Sequence, residues 1–258
     1  MPLTIEVCTA QHIGDRQEQQ DRVAIRPHPK SKGSLIAVVA DGMGGHTGGA
    51  LAAEQVLHSA VTNFDVIPSS PESVRETLQS AIIDAHNAIK LTRYTSEQDP
   101  HSTACLLVLQ SGRADWAHCG DSRIYHFRDG QRVSRSLDHS YVMDLVQRGF
   151  LTETQAENHP NKNILLSCLG DKELPRIDYG KAAPLAAGDC FLLCTDGLWA
   201  YFTDAELGRI LKEFPPRQAA EALINSARTR AQGHGDNCSL AIVRVKEADK
   251  PAMPAARR

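Results

Sequence analysis

Two periodicities trade places along the chain. Thr4 to Thr9 alternates apolar and polar side chains like a half-buried strand, and Val23 to Ile25 resumes it after a polar loop. Leu35 to Ala40 is an unbroken apolar run, short and β-branched, which predicts a strand buried on both faces. The period then lengthens. Ala53, Val56, Leu57, Ala60, Val61 and Phe64 recur at helical spacing, and after the break PSSP so do Val74, Leu78, Ile82, Ala85 and Ile89. From His101 the chain returns to short strands, STACLLVLQ, ADWAHC, IYHF and QRVSRS. They are separated by turns at Ser111-Gly112, Gly120 to Arg123 and Asp129-Gly130, which predicts an antiparallel meander. Asp138 to Asp171 is polar and holds two short helical patterns, Tyr141 to Arg148 and Glu153 to Asn158. It is expected to be a mobile excursion rather than core. Strands return at Arg176 to Gly180 and Asp189 to Thr195. Leu207, Ile210, Leu211 and Phe214, then Ala220, Leu223, Ile224 and Ala227, mark two closing helices divided by Pro215-Pro216, and Cys238 to Val245 is a last strand. Two groups of strands, each followed by a helix pair, imply an α+β sandwich of two sheets with helices on both outer faces.

Composition narrows the class without changing that picture. Of 258 residues, 41% are apolar and 23% charged, ordinary values for a globular chain, and the net charge of −3 leaves no electrostatic footprint for nucleic acid. Seven cysteines, without a Cys-x-x-Cys pair and mostly inside apolar runs, read as reduced core residues in a cytoplasmic protein. No run approaches the roughly 18 apolar residues that a membrane helix needs, so a soluble protein without a membrane partner is expected.

The chemistry is carried where apolar runs end. Leu35 to Ala40 stops on Asp41, followed by Gly42, Gly44 and Gly45; CFLLCT stops on Asp196-Gly197; and Asp236 stands at the head of the last strand. An Asp-Gly pair is by default a turn, and Asp129-Gly130, flanked by mixed polar and apolar residues, is read as one. The other two follow core strands. Carboxylates gathered at strand ends repel one another unless cations lie between them, and an oxygen-only donor set favours Mg²⁺ or Mn²⁺ over zinc. Glycine beside the first of them lets backbone oxygens approach an ion closely.

The ordered set GDRQEQQD, ADGMGGH, STACLLVL, GDSRIY, LDHS, HP-x-x-N with LG after it, CTDGLW and GDNCSL resembles the metal-dependent serine/threonine protein phosphatases of type 2C, bacterial branch, from about residue 4 to 245. The resemblance implies a four-layer α-β-β-α sandwich with a metal site at one end of the sheets. It implies one catalytic domain over residues 1 to 246, with a flap at about 143 to 171 and a disordered tail at 247 to 258. It also implies hydrolysis of phosphoserine and phosphothreonine on proteins, a serine/threonine kinase among them, by a monomer that reverses such a kinase. By the same resemblance Asp41 bridges two Mn²⁺ or Mg²⁺ ions, Gly42 gives its carbonyl to one, and Asp196 and Asp236 hold the other. Asp121 would bind a third ion, Asp21 and Gln20 would act through water, and Arg16 would grip the substrate phosphate.

Three positions depart from the family pattern: Gln20 stands for glutamate, Gln19 for asparagine, and Met43 where animal relatives place a histidine, which leaves protonation of the leaving group to solvent. Other residues rank lower. His46, His139 and His159 read as capping or loop residues, and Asp138-His139-Ser140 as a turn rather than a hydrolase triad, because adjacent side chains diverge. Cys119 lacks the Cys-x₅-Arg loop of a cysteine phosphatase, and Trp199 reads as core. Two rival functions stay open, a catalytically dead phosphoprotein binder and a hydrolase of small phosphorylated metabolites, the latter requiring a deep pocket.

Overall fold

The computed structural model describes residues 3–44, 46–67, 71–92, 99–110 and 112–248. In chain order these form strands Leu3–His12 (β1), Arg22–Pro27 (β2), Leu35–Ala40 (β3) and Gly42–Met43 (β4), then helices His46–Asp65 (α1) and Pro71–Thr92 (α2). The meander follows: His101–Ser102 (β5), Ala104–Gln110 (β6), Arg113–Cys119 (β7), Arg123–Arg128 (β8) and Gln131–Arg135 (β9). After Tyr141–Gln147 (α3) and Glu153–Glu157 (α4) come Asp178–Ala182 (β10), Asp189–Cys194 (β11), Asp196–Trp199 (α5), Asp204–Glu213 (α6), Pro216–Ala231 (α7) and Cys238–Glu247 (β12).

Two five-stranded antiparallel sheets are stacked, with strand orders β1-β12-β11-β8-β9 and β10-β7-β6-β3-β2. The central strands explain why the sequence showed unbroken apolar runs. On β3, Ile36, Val38 and Ala40 face the layer of α1 and α2, while Leu35, Ala37 and Val39 face the opposite sheet. On β11, Phe191 and Leu193 point between the sheets, and Cys190, Leu192 and Cys194 point toward α6 and α7. A strand covered on both faces has no polar side to display. Each fully buried Val, Leu or Ile contributes about 1.5–3 kcal/mol, so the α-β-β-α layering is held by three apolar interfaces. With both faces alike, hydrophobic pattern alone does not set the register of β3. Its polar end does: Asp41 N–H donates to Thr103 Oγ1 at 2.9 Å, and Thr103 N–H donates to the Asp41 carbonyl at 2.9 Å.

Several boundaries differ from expectation for local reasons. Strand β1 outruns Thr4 to Thr9 because all ten of its residues pair with β12, which itself continues through Glu247 into the stretch read as tail. Strand β10 begins at Asp178 rather than Arg176, since Arg176 folds back to bind the Asp178 carboxylate. Phe214, expected on a buried helix face, is the C-cap of α6 and 39% exposed. The excursion from Asp138 to Asp171 leaves and returns through one root: Tyr141 N–H bonds Ile164 O at 2.8 Å and Leu166 N–H bonds His139 O at 2.8 Å. Pro68 to Ser70 of the PSSP break, Gly45, Ser111 and residues 249–258 of the expected tail lie outside the described residues. All seven cysteines are free thiols, five of them buried. No helix among the described residues is long and apolar enough to cross a membrane.

Candidate metal centre

Asp41 follows the last residue of β3, Asp196 opens α5 with only Thr195 between it and β11, and Asp236 lies two residues before β12. One aspartate thus comes from the end of one sheet and two from the other. Close backbone approach draws them together. A Cβ on Gly42 would lie 2.0 Å from the Gly49 carbonyl oxygen in α1, and one on Gly197 would lie 2.0 Å from the Asn237 carbonyl oxygen. Only glycine permits the first turn of α1 to press on β4, or α5 to press on the segment carrying Asp236.

The carboxylates form one electrostatic unit. Burial pushes the Asp41 carboxyl well above the usual range, and the nearby Asp21, Asp196, Asp121 and Asp236 push it further. Asp196 is raised to about 6 by burial and by Asp236. Asp21 is raised to about 7, mainly by burial, and Asp121 stands well above its usual value through burial, Asp196 and Asp138. Asp21 is almost wholly sealed, whereas Asp41, Asp121 and Asp196 keep a path to water through the cleft mouth. One oxygen each of Asp21 and Asp196, Oδ1 in both cases, is buried without a hydrogen-bond partner. Like charges crowded together, lone pairs left unused and a donor set made only of oxygen are what a hard divalent cation satisfies. The residues present therefore fit Mg²⁺ or Mn²⁺. Asp236 differs from the expectation of a desolvated ligand: its side chain is 41% exposed and pairs with Arg16 Nη2 at 2.6 Å.

A residue the sequence reading passed over organises the Arg16 loop. Asn237 Nδ2 donates to the Ile13 and Glu18 carbonyls at 2.8 and 2.9 Å, and its Oδ1 accepts from Gln20 N–H at 2.6 Å. Both amide donors and one lone pair of the oxygen are spent on pinning Gly14 to Asp21 against Asp236. The only signal was its place in GDNCSL, where an amide beside a carboxylate reads as an ordinary turn pair. Thr195 plays a similar part. Its hydroxyl donates to Asp21 Oδ2 at 2.9 Å and accepts from Ser239 N–H at 3.1 Å.

Asp121 is held from the other side. Trp199 Nε1 donates to the Asp121 carbonyl at 3.0 Å, and the Arg123 guanidinium lies 3.5 Å over the indole while its fork grips Asp138 with both bonds at 2.8 Å. Trp199 is thus half-buried at the rim of the site, where the sequence suggested plain core. A cleft of about 420 Å³ beside Asp41, Gly42, Met43 and Gln20 meets a groove of about 320 Å³ running under the excursion, and Arg16 and Asp236 line both.

The lower-ranked residues carry structural roles around this centre. Asp129-Gly130 closes the β8–β9 hairpin, Asp138 pairs with Arg123, and Ser140 caps α3 through Met143 N–H. Burial lifts the Cys119 thiol to about 12, far from a nucleophile's range. His159 bonds the Asn161 amide in an exposed turn, and the His46 side chain lies outside the described residues.

Comparison with known proteins places these features in a family. The protein phosphatase 2C family model matches residues 8–232. Protein phosphatase PhpP of Streptococcus pneumoniae is 30% identical over 249 residues, covering 95% of this chain and 99% of that protein. The solved serine/threonine phosphatase of S. agalactiae superposes with a TM-score of 0.86 at 27% identity, over 95% of this chain and all of the other. The catalytic domain of the phosphatase PstP, solved in complex with two manganese ions, superposes with a TM-score of 0.79 at 25% identity, covering 95% of this chain and 100% of that domain. A matched family model spanning most of the length, a full-length relative and the shared two-sheet fold establish that this chain belongs to the protein phosphatase 2C family of metal-dependent serine/threonine phosphatases.

Proposed function

We propose that the chain removes phosphate from phosphoserine and phosphothreonine in proteins, reversing a serine/threonine kinase, with one catalytic unit over residues 1–246 and residues 143–171 as its flap. The observation that carries this reading is the convergence of Asp41, Asp196 and Asp121, all raised in pKa, with Asp236 and with an unspent oxygen on Asp196, beside the Arg16 guanidinium.

Asp41, the Gly42 carbonyl, Asp196 and Asp236 would hold two Mn²⁺ or Mg²⁺ ions, Asp121 a third, with Asp21 and Gln20 acting through water. When bound, such ions supply acidified water and counter-charge for the phosphoryl oxygens. Arg16, more than half exposed on its loop, swings from Asp236 to present its planar fork to the incoming phosphate. Water attacks in line: a P–O bond forms to water, the bond to the serine or threonine oxygen breaks, and that oxygen takes up a proton. Met43 has no proton to give, so solvent in the open cleft supplies it. The groove continuous with the cleft at Arg16 and Asp236 suits an extended polypeptide, and this favours a protein over a small metabolite as substrate.

Arg16→Ala is expected to raise KM for a phosphopeptide more than it lowers kcat, because a phosphate grip acts in ground and transition states alike. Arg16→Lys should recover little, since a point charge does not reproduce the fork. Steady-state kinetics of the three proteins decides, and a kcat collapse at unchanged KM would assign the arginine to the transition state instead.

Asp121→Ala separates a third ion from a turn residue. With a weak ion at Asp121, wild-type activity keeps rising with Mn²⁺ after two ions are bound, and the variant plateaus early and low with its melting temperature kept. If Asp121 merely closes the GDSR turn, the Mn²⁺ curves coincide and the variant melts lower.

A further inference from the structure

Behind the turn that carries Asp121, two buried imidazoles and a carboxylate face one another. His118 lies on β7, His139 at the root of the excursion, and Asp178 opposite His118 in the β7–β10 register, and one donor atom from each falls within 4.8 Å of the others. We propose that His118, His139 and Asp178 form a second kind of metal site, for an imidazole-preferring divalent ion of the zinc class, which clamps the root of the excursion to the sheet.

The distances suit a tetrahedral ion. His139 Nε2 is 3.4 Å from Asp178 Oδ2, and bonds of about 2.0–2.1 Å to one tetrahedral centre separate their ligand atoms by roughly 3.4 Å. The two rings lie stacked, with centroids 4.7 Å apart and planes inclined by 28°, a spacing close to the roughly 5 Å that two imidazoles on such a centre require once they turn toward it. Each ring is prepared for the role. His139 is 2% exposed and its Nε2 makes no hydrogen bond, so a buried ring nitrogen faces the carboxylate without a geometrically good partner and is open to an ion once its proton passes to Nδ1. His118 Nε2 is 2.9 Å from the Leu137 carbonyl; a carbonyl only accepts, so the proton sits on Nε2 and the Nδ1 lone pair is left for an ion. A carbonyl behind a ligating imidazole is the usual arrangement at histidine metal sites.

Protonation does not stand in the way. Burial holds His118 below its usual value and, with His118 alongside, holds His139 at about 4, so both rings are neutral at pH 7. Burial opposes ionisation of Asp178, but hydrogen bonds from Arg176 and the neighbouring His139 outweigh it and keep the carboxyl below its usual range. Two nitrogens and one oxygen select zinc over Mg²⁺ or Mn²⁺, the reverse of the all-oxygen cluster nearby. The site also has a competitor. Arg176 donates to both Asp178 oxygens, at 3.2 and 2.8 Å, but is 54% exposed and free to swing into solvent when an ion arrives.

An ion here would be felt on both sides. His139 N–H bonds the Gly120 carbonyl at 2.9 Å, and His139 O accepts from Leu166 at the return of the excursion. His139 Nδ1 now accepts weakly from Gly120 N–H at 3.3 Å. Coordination through Nε2 moves the ring proton to Nδ1, against that amide, and so presses on the residue before Asp121.

The test is calorimetric titration of zinc chloride into wild type, Asp178→Asn and Arg176→Gln, all in saturating Mg²⁺ to fill the carboxylate cluster, with ¹⁵N spectra of the histidine rings. Both substituted residues reach the surface, so the variants should fold. The expected result is one zinc ion that Mg²⁺ does not displace, bound about tenfold or more weakly by Asp178→Asn and several-fold more tightly by Arg176→Gln, with the His118 and His139 ring signals moving on binding. Equal zinc affinity in all three proteins, zinc binding abolished by Mg²⁺, or ring signals that do not move would each overturn the site. The phosphatase reading does not depend on it.

Discussion

Asp41→Asn is expected to cut phosphate release from a phosphothreonine peptide by more than about 100-fold, the scale on which removal of one preorganised charge-stabilising group acts. Asp41 is the member of the cluster on which four other aspartates bear, and under the proposed scheme an amide cannot replace the charge it would place between two cations. The same substitution should leave the metal-free protein no less stable to heat. In the fold the Asp41 carboxyl is raised far above its unfolded value, so its ionised form at pH 7 costs stability that the neutral amide does not. Two measurements check this: phosphate release with Mn²⁺, and thermal unfolding in chelator. A variant that melts well below wild type would mean Asp41 is a structural residue. Two tight Mn²⁺ sites persisting in calorimetry would mean the ions are held elsewhere.

Gly42→Ala should be harmful through the backbone. Its Cβ would lie 2.0 Å from the Gly49 carbonyl oxygen and 2.7 Å from that of Gln20, neither of which moves without shifting α1 or the Arg16 loop. Overpacking of this kind costs about 1–3 kcal/mol, or a fall of roughly 2–10 °C in Tm for a chain this long. The methyl group also displaces the carbonyl proposed to face an ion, so activity should fall even at temperatures where the variant is fully folded. Unchanged Tm and unchanged phosphate release together would show that the contact relaxes freely and that the position of Gly42 O is unimportant.

Much of the fold was legible because the sheets are doubly covered. Strands such as β3, β6 and β11 carry apolar side chains on both faces, and a run of that length has few other uses. The aspartates were legible for the same reason, as charges at the ends of runs that otherwise exclude charge. What escaped notice depends on side chains reaching across the fold. The one-turn helix α5 is too short to show a period, so Asp196 read as a strand end rather than a helix start. Asn237 and Thr195 act through hydrogen bonds to residues more than 170 positions away in the chain, which no local pattern encodes. Trp199 looked like core because its apolar neighbours in CTDGLW are core, while its own indole N–H is spent on Asp121. Half-exposure of Asp236 was likewise invisible, since the Arg16 loop that leaves it open folds over from the other end of the sequence.

The most direct measurement is release of inorganic phosphate from phosphoserine and phosphothreonine peptides by the purified protein, with Mn²⁺, after chelation, and after Mn²⁺ is restored. Hydrolysis with Mn²⁺ that disappears on chelation and returns with the ion is the expected result. No hydrolysis at any Mn²⁺ concentration, or hydrolysis that survives chelation, would contradict a phosphatase whose carboxylates work by holding divalent ions.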